Sequence, residues 1–321
     1  MLHSHQTTPT PPMPISCNAP PSISRSELVD RLQIMRDQET NKYTCIDYLE
    51  SFASSNEGAI DKWCRSKMVQ WCYSVVDFAK FNRETVYLSI SYLDRFLSSN
   101  SPRSKQVLED RKDYQLAAMT CLYLAIKIFE PKIIETGLLA ELSRGCYTPQ
   151  DFSIMETHIL FDLNWLLHDP TPQSYLLHYL ALIPTEKDGI KIDRVSILEL
   201  ARYQIELSVV DYDLMTKGAS DIALAALTSS ARLILAESHF VIDETELLAS
   251  MGNIFTMEVE PLNISAIGEK LESLHKKQIP DLIRRGSNDV QVDNVDNEEE
   301  SESIKSQPRR RSRSPNSCVS T

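Results

Sequence analysis

Between about residues 25 and 280, apolar positions recur with the period of a helix face rather than the alternation of a strand. Met68, Trp71, Cys72, Val75, Val76 and Ala79 share one face and predict an amphipathic helix over 63–80. After Asn82, a suitable N-cap, Val86, Ile90, Leu93 and Leu97 repeat the pattern until Asn100-Ser101-Pro102 ends it. From Gln115 to Phe129 nearly every face is apolar, as expected of a central helix surrounded by its neighbours. A fourth helix fills about 132–143. A fifth opens at Thr148 with Pro149 in its first turn and Asp151 three residues past the cap, and turns Phe152, Met155, Ile159 and Leu163 inward.

The run Asp169-Pro170-Thr171-Pro172 marks a linker, and helices at about 172–183, 192–208, 219–237, 243–253 and 264–279 follow it. Ala223, Leu224, Leu227 and Arg232 repeat, about 105 residues on, Ala118, Met119, Leu122 and Lys127 of the first central helix. The expected fold is therefore all-α: two tandem five-helix bundles, over 25–168 with a preceding helix and over 169–280. Residues 1–24 hold six of the sixteen prolines and 281–321 are acidic and then Arg/Ser-rich, so both ends are expected to be disordered tails.

Composition narrows the chemistry. With eight glycines, no two closer than eight positions, neither G-x-G-x-x-G nor G-x-x-x-x-G-K occurs, so a phosphate-cradling loop is not expected. A net charge of −12 opposes a nucleic-acid backbone. The seven cysteines form no C-x-x-C pair and read as thiols, and no signal pattern or membrane-length apolar stretch is present, so a soluble, non-secreted chain is expected. His3 and His5 lack the further ligands of a metal site, and no nucleophile motif occurs.

Specific residues then point further. Tyr92-Leu93-Asp94-Arg95-Phe96-Leu97 matches the YLDRFL motif of the cyclin family. Cys64 to Trp71 resembles its MRAIL-x-x-W helix, and Leu124-Ala125-Ile126-Lys127 its LASK segment. Met155-Glu156 is similar to its fifth-helix glutamate motif, and Leu163-Asn164-Trp165 with Pro170-Thr171-Pro172 to the end of its first box. The resemblance covers about 45–170 by motif and reaches about 280 by helix pattern. It implies two tandem cyclin folds and a regulatory subunit, with no catalytic residue and no cofactor of its own, that binds and activates a cyclin-dependent serine/threonine kinase in cell-cycle control.

The family's signature set is present as Arg65, Asp94, Leu116, Lys127 and Glu156. Arg65 and Asp94 read as a structural ion pair fixing two neighbouring helices. Lys127 and Glu156 read alone as a solvated helix end. The resemblance instead places them on the kinase-facing surface, with Phe129, Leu160, Trp165 and Leu167, which read singly as core. A second family surface docks R-x-L peptides of substrates or inhibitors, and falls here on Cys64, Met68, Trp71 and Gln115. Lys67 stands there in place of an apolar residue and Ser74 in place of an acid, which disfavours a cationic peptide and leaves Trp71 open to a packing role.

Arg25 to Leu28 fits the minimal R-x-x-L destruction signal or begins a helix. Arg309, Arg310, Arg311 and Arg313 fit a nuclear import signal, so nuclear residence is expected, possible shuttling included. Thr8, Thr10 and Ser314 precede prolines and are candidate phosphorylation sites. Two alternatives stay open: a cyclin-fold transcription factor, and an interaction module that activates no kinase.

Overall fold

The structure is a computed structural model that describes residues 24–51, 59–183, 186–187, 190–237 and 261–288. The described residues up to 278 belong to one compact unit and those from 279 to a second. Local side-chain chemistry sets most helix starts. Helix α1 (Arg25–Lys42) is capped by Ser24, whose hydroxyl accepts from Glu27 N at 3.2 Å. After the short α2 (Tyr48–Ser51), Asp61 caps α3 (Lys62–Ala79), and Lys80 ends it in the left-handed region at φ 57°.

Helix α4 (Glu84–Ser98) has Arg83 at its N-cap position, one residue past the expected cap. Asn82 still serves the start, since its side-chain oxygen accepts from Glu84 N at 3.0 Å. Ser101-Pro102, expected to end a helix, also begins one: Ser101 caps α5 (Pro102–Glu109), where Pro102 needs no N–H donor in the first turn. Asp110 then caps α6 (Arg111–Phe129), so the central helix starts a turn earlier than its apolar run. Helix α7 (Thr136–Leu142) is shorter than expected, and α8 (Pro149–Asp162) opens with a Thr148/Asp151 capping box.

Thr171 and Ser174 form the capping box of α9 (Pro172–Leu182). A two-stranded antiparallel ribbon, β1 (Glu186–Lys187) with β2 (Ile190–Lys191), precedes α10 (Arg194–Val210), α11 (Ala219–Glu237) and α12 (Pro261–Asn288). Apart from this ribbon of two-residue strands every described element is helical, in keeping with the expected all-α fold. The helix expected at 243–253 and the two expected tails lie outside the described residues, save that α12 continues past 279 to Asn288.

Two cores result. The first is built on α6, where Tyr114, Met119, Leu122 and Ile126 are buried among Tyr92, Leu93 and Phe96 of α4 and Phe152, Met155 and Ile159 of α8. The second is built on α11, whose buried residues are mainly small: Ala219, Ala223, Ala225, Ala226 and Ala231. Helix α1, although it precedes the first bundle in sequence, packs on the second, with Leu28 and Leu32 beside Tyr175, Leu176 and Tyr179. Its Glu39 accepts from Ser220 N at 3.2 Å and so caps α11 from another part of the chain. That cap needs Gly218, because a Cβ there would lie 2.3 Å from Glu39 Oε1.

Candidate functional site

The Arg65–Asp94 pair is the electrostatic centre of the first bundle. Arg65 Nη2 donates to Asp94 Oδ2 at 2.7 Å and Nε to Oδ1 at 3.0 Å, with the two side chains 3% and 5% exposed. Tyr48 adds a third bond to Asp94, and Arg65 Nη1 reaches Val209 O of α10 at 2.7 Å, tying the two bundles together. Burial alone would lower the Arg65 pKa, but the charge and hydrogen bonds of Asp94 raise it by more, so the guanidinium stays charged in the interior. Neither presents a surface to a partner. Their geometry is that of a fold anchor.

Lys127 and Glu156 are different. Lys127 lies in the last turn of α6 and Glu156 midway along α8, and Nζ meets Oε1 at 3.0 Å with side-chain exposures of 46% and 16%. The bond to Glu156 raises the Lys127 pKa. The ammonium also stands 5.5 Å from the centroid of the Tyr123 ring. At the end of α6, Phe129 is exposed and meets His168 edge-on at 5.5 Å. Leu160 is half-buried against the first core, while Trp165 is exposed and meets Phe161 edge-on at 6.5 Å.

Five of the six residues expected on this surface therefore have exposed or half-buried side chains. Leu167 does not join them. It is buried in the first core because the chain turns inward after Trp165. Sequence reasoning passed over Phe161, whose exposure was legible: it falls off the inward face set by Phe152, Met155 and Ile159.

The expected peptide-docking residues are mostly turned inward. Cys64 is buried, which raises its thiol pKa, and Met68 and Trp71 are half-buried against the core. Gln115 accepts from the Tyr147 hydroxyl at 3.3 Å. Lys67 and Trp63 of α3 are exposed, with Nζ 5.7 Å from the indole centroid, and the exposed Ser74 donates back to Gln70 O. Trp63 also escaped sequence reasoning.

Arg25 to Leu28 form the first turn of α1, and Leu28 is buried in the second core, so these residues are a helix start rather than an extended accessible peptide. His3, His5, Thr8, Thr10, Arg309, Arg310, Arg311, Arg313 and Ser314 lie outside the described residues. Among the described residues no group of three or more His, Cys, Asp or Glu is placed to hold a metal, and no helix is long and apolar enough to cross a membrane. Cys45, Cys64, Cys72, Cys121 and Cys146 are free thiols.

Comparison with known proteins gives a consistent answer. Residues 30–168 match the family model described as cyclin, N-terminal domain, and residues 170–278 that described as cyclin, C-terminal domain. Cyclin-A1-2 of Arabidopsis thaliana is 27% identical over 209 residues, 64% of this chain and 44% of that protein. Cyclin-A1-4 of Oryza sativa subsp. japonica is 27% identical over 209 residues, 54% of its length, so this chain spans about half of these plant relatives. The G1/S-specific cyclin-D1 of Xenopus laevis is 27% identical over 254 residues, 78% of this chain and 81% of that protein. Among solved structures, a viral cyclin from herpesvirus saimiri superposes with a TM-score of 0.54 at 16% identity, over 77% of this chain and 97% of the other, a likeness of fold.

Proposed function

This chain belongs to the cyclin family, and from that membership we propose that it is a regulatory subunit that binds and activates a cyclin-dependent serine/threonine kinase in cell-cycle control. The observation that carries the reading is the Lys127–Glu156 pair. It is a charge-assisted bond at the edge of an exposed apolar surface that includes Phe129 and Trp165. Each group retains hydrogen-bonding capacity for a docked backbone, and the aromatic side chains supply area that water leaves on association.

The chain's own work in this reading is conformational. Docking holds the kinase's regulatory helix inward, so that the helix glutamate pairs with the ATP-site lysine and the activation loop is freed. Mg-ATP and the catalytic groups then belong to the kinase. The tail arginines 309–311 and 313 support nuclear residence, and Thr8, Thr10 and Ser314 are proposed proline-directed phosphorylation sites.

Mixing the purified protein with a panel of monomeric cyclin-dependent kinases and following phosphoryl transfer tests this. Activation by the wild type, lost in Lys127→Ala/Glu156→Ala, is the expected result. Binding without activation would leave an interaction module. Salt-sensitive duplex DNA binding without kinase binding would favour the transcription-factor alternative.

A further inference from the structure

The turn that follows α8 is held in a costly conformation. Asn164 and Trp165 are consecutive non-glycine residues in the left-handed region, at φ 50° and 59°. Asparagine tolerates that region, but a bulky aromatic there is an outlier that persists only where its surroundings impose it. Part of the imposition is local. Asn164 N donates to Phe161 O, Trp165 N to Leu160 O and Leu166 N to Leu163 O, each at 3.0 Å.

The rest comes from α4. Arg95 Nη2 donates to Leu166 O at 2.8 Å, and the Tyr92 hydroxyl donates to Leu167 O, so the two carbonyls that follow Trp165 are each gripped from below. The same Arg95 nitrogen reaches Asp169 Oδ1 at 2.8 Å, with the paired side chains 5% and 2% exposed, and the Ser91 hydroxyl donates to the other Asp169 oxygen. Tyr43 and Tyr92 rings flank the guanidinium at 5.0 and 5.6 Å. A buried ion pair is weak evidence of added stability, because apolar residues of similar volume often serve as well. What apolar residues cannot do is donate to a carbonyl and hold it in place, as Arg95 does for Leu166 O and Tyr92 for Leu167 O.

The residue this apparatus displays is exposed. Trp165 is 63% accessible, and its ring contact is with Phe161, itself 67% accessible, so the strain is not offset by burial of the indole. We propose that Tyr92 and the buried Arg95–Asp169 pair are positioning residues that hold the Leu163–Leu167 turn and so fix Trp165 as an anchor on the partner-facing surface. The positioning stands on this geometry alone, whereas the partner rests on the kinase reading above.

The test uses the full chain labelled with 5-fluorotryptophan. The sequence has three tryptophans, and the Trp165 resonance is assigned by its loss in Trp165→Phe. Tyr92→Phe and Arg95→Lys should each shift or split that resonance. Tyr48→Phe, which removes a buried hydroxyl bonded to Asp94 instead, should leave it in place even though stability falls. Against a cyclin-dependent kinase that the wild type binds, Tyr92→Phe should weaken binding about tenfold, and by nothing further in a Trp165→Ala background. An unmoved resonance, or a moved one whose effect on affinity is the same in both backgrounds, would overturn the proposal. If the wild type bound no kinase at all, the kinase reading would fall, and the fluorine resonance would decide the positioning by itself.

Discussion

In each bundle the central helix carries, near its C-terminal end, a cation bonded to a glutamate of a later helix: Lys127 to Glu156 in the first and Arg232 to Glu272 in the second. The material around these helices differs. The first bundle packs large side chains about α6 and fixes α4 with two buried ion pairs, Arg65–Asp94 and Arg95–Asp169. The second packs alanines along α11 and fills its polar positions with short groups, such as Gln204 donating to Ser229 at 3.1 Å and Thr228 donating to Leu224 O. Small residues let helices approach closely, whereas buried charges allow few arrangements of the groups around them. The first bundle is thereby specified by direction, which suits a surface of fixed geometry, and the second by close packing, which suits a brace.

The largest effect that separates the two should come from their arginines. Arg65→Ala removes the cation of a buried ion pair and leaves the Asp94 carboxyl in the interior without it, and is expected to destabilise by about 3–5 kcal/mol. Arg232→Ala, at a side chain half exposed to water, is expected to cost less than about 1 kcal/mol. Urea midpoints of the two variants give the comparison. Equal losses would mean that the first bundle owes nothing special to its buried pair.

A smaller effect concerns how α1 is attached. Gly218→Ala drives a Cβ into Glu39 Oε1 and displaces the carboxyl from Ser220 N, for a loss of about 1–2 kcal/mol, the scale of a helix cap. In a Glu39→Ala background the same substitution should be close to neutral, because its obstacle is gone. Additive losses would show that Gly218 is needed for some other reason.

The same carboxyl should make this seam sensitive to pH. Burial raises the Glu39 pKa above its ordinary 4.5, against the bond from Ser220 that lowers it, and the nearby Asp221 charge adds to the rise. A raised pKa means that the folded state prefers the proton. The stabilisation is therefore complete below pH 4.5 and is lost as pH rises through the folded-state value. Glu39→Gln keeps an oxygen for Ser220 N without titrating. Its stability relative to wild type, read from urea midpoints across a pH series, should therefore climb as pH rises from 4.5 through the folded-state value and then level off. A difference independent of pH would place the Glu39 proton elsewhere.

These sites also show what was readable in advance. Helices α3, α4, α6, α7 and α8 of the first bundle followed from spacing and caps, as did the echo that places Lys127 opposite Arg232. The expected roles of Lys127 and Glu156 came from the family resemblance, since helix pattern alone left them a solvated helix end, whereas Arg65 and Asp94 could be read as an ion pair between neighbouring helices. Helix α5 was lost because Ser101-Pro102 is at once a stop for one helix and a cap with a first-turn proline for the next. The attachment of α1 was lost for a different reason: Leu28 and Leu32 show that a face is apolar, not which core receives it. Glu39, Asp169 and the Arg95 bond to Leu166 O are contacts between segments distant in sequence, and no local period encodes them.

The smallest expected change in stability falls on the residue with the largest expected role in binding. The Lys127 side chain is nearly half exposed, so its bond to Glu156 competes with water, and Lys127→Ala should alter the stability read from urea unfolding by no more than about 1 kcal/mol. The same substitution should weaken binding to a cyclin-dependent kinase at least about tenfold, because at a desolvated interface the loss of one partner leaves the other buried without a counter-charge. That pattern would be the reverse of the one expected for Arg65→Ala, where affinity falls only as far as the folded population does. A Lys127→Ala protein that lost stability and affinity in proportion would return the pair to the class of fold anchors and remove the main support for a partner surface at the ends of α6 and α8.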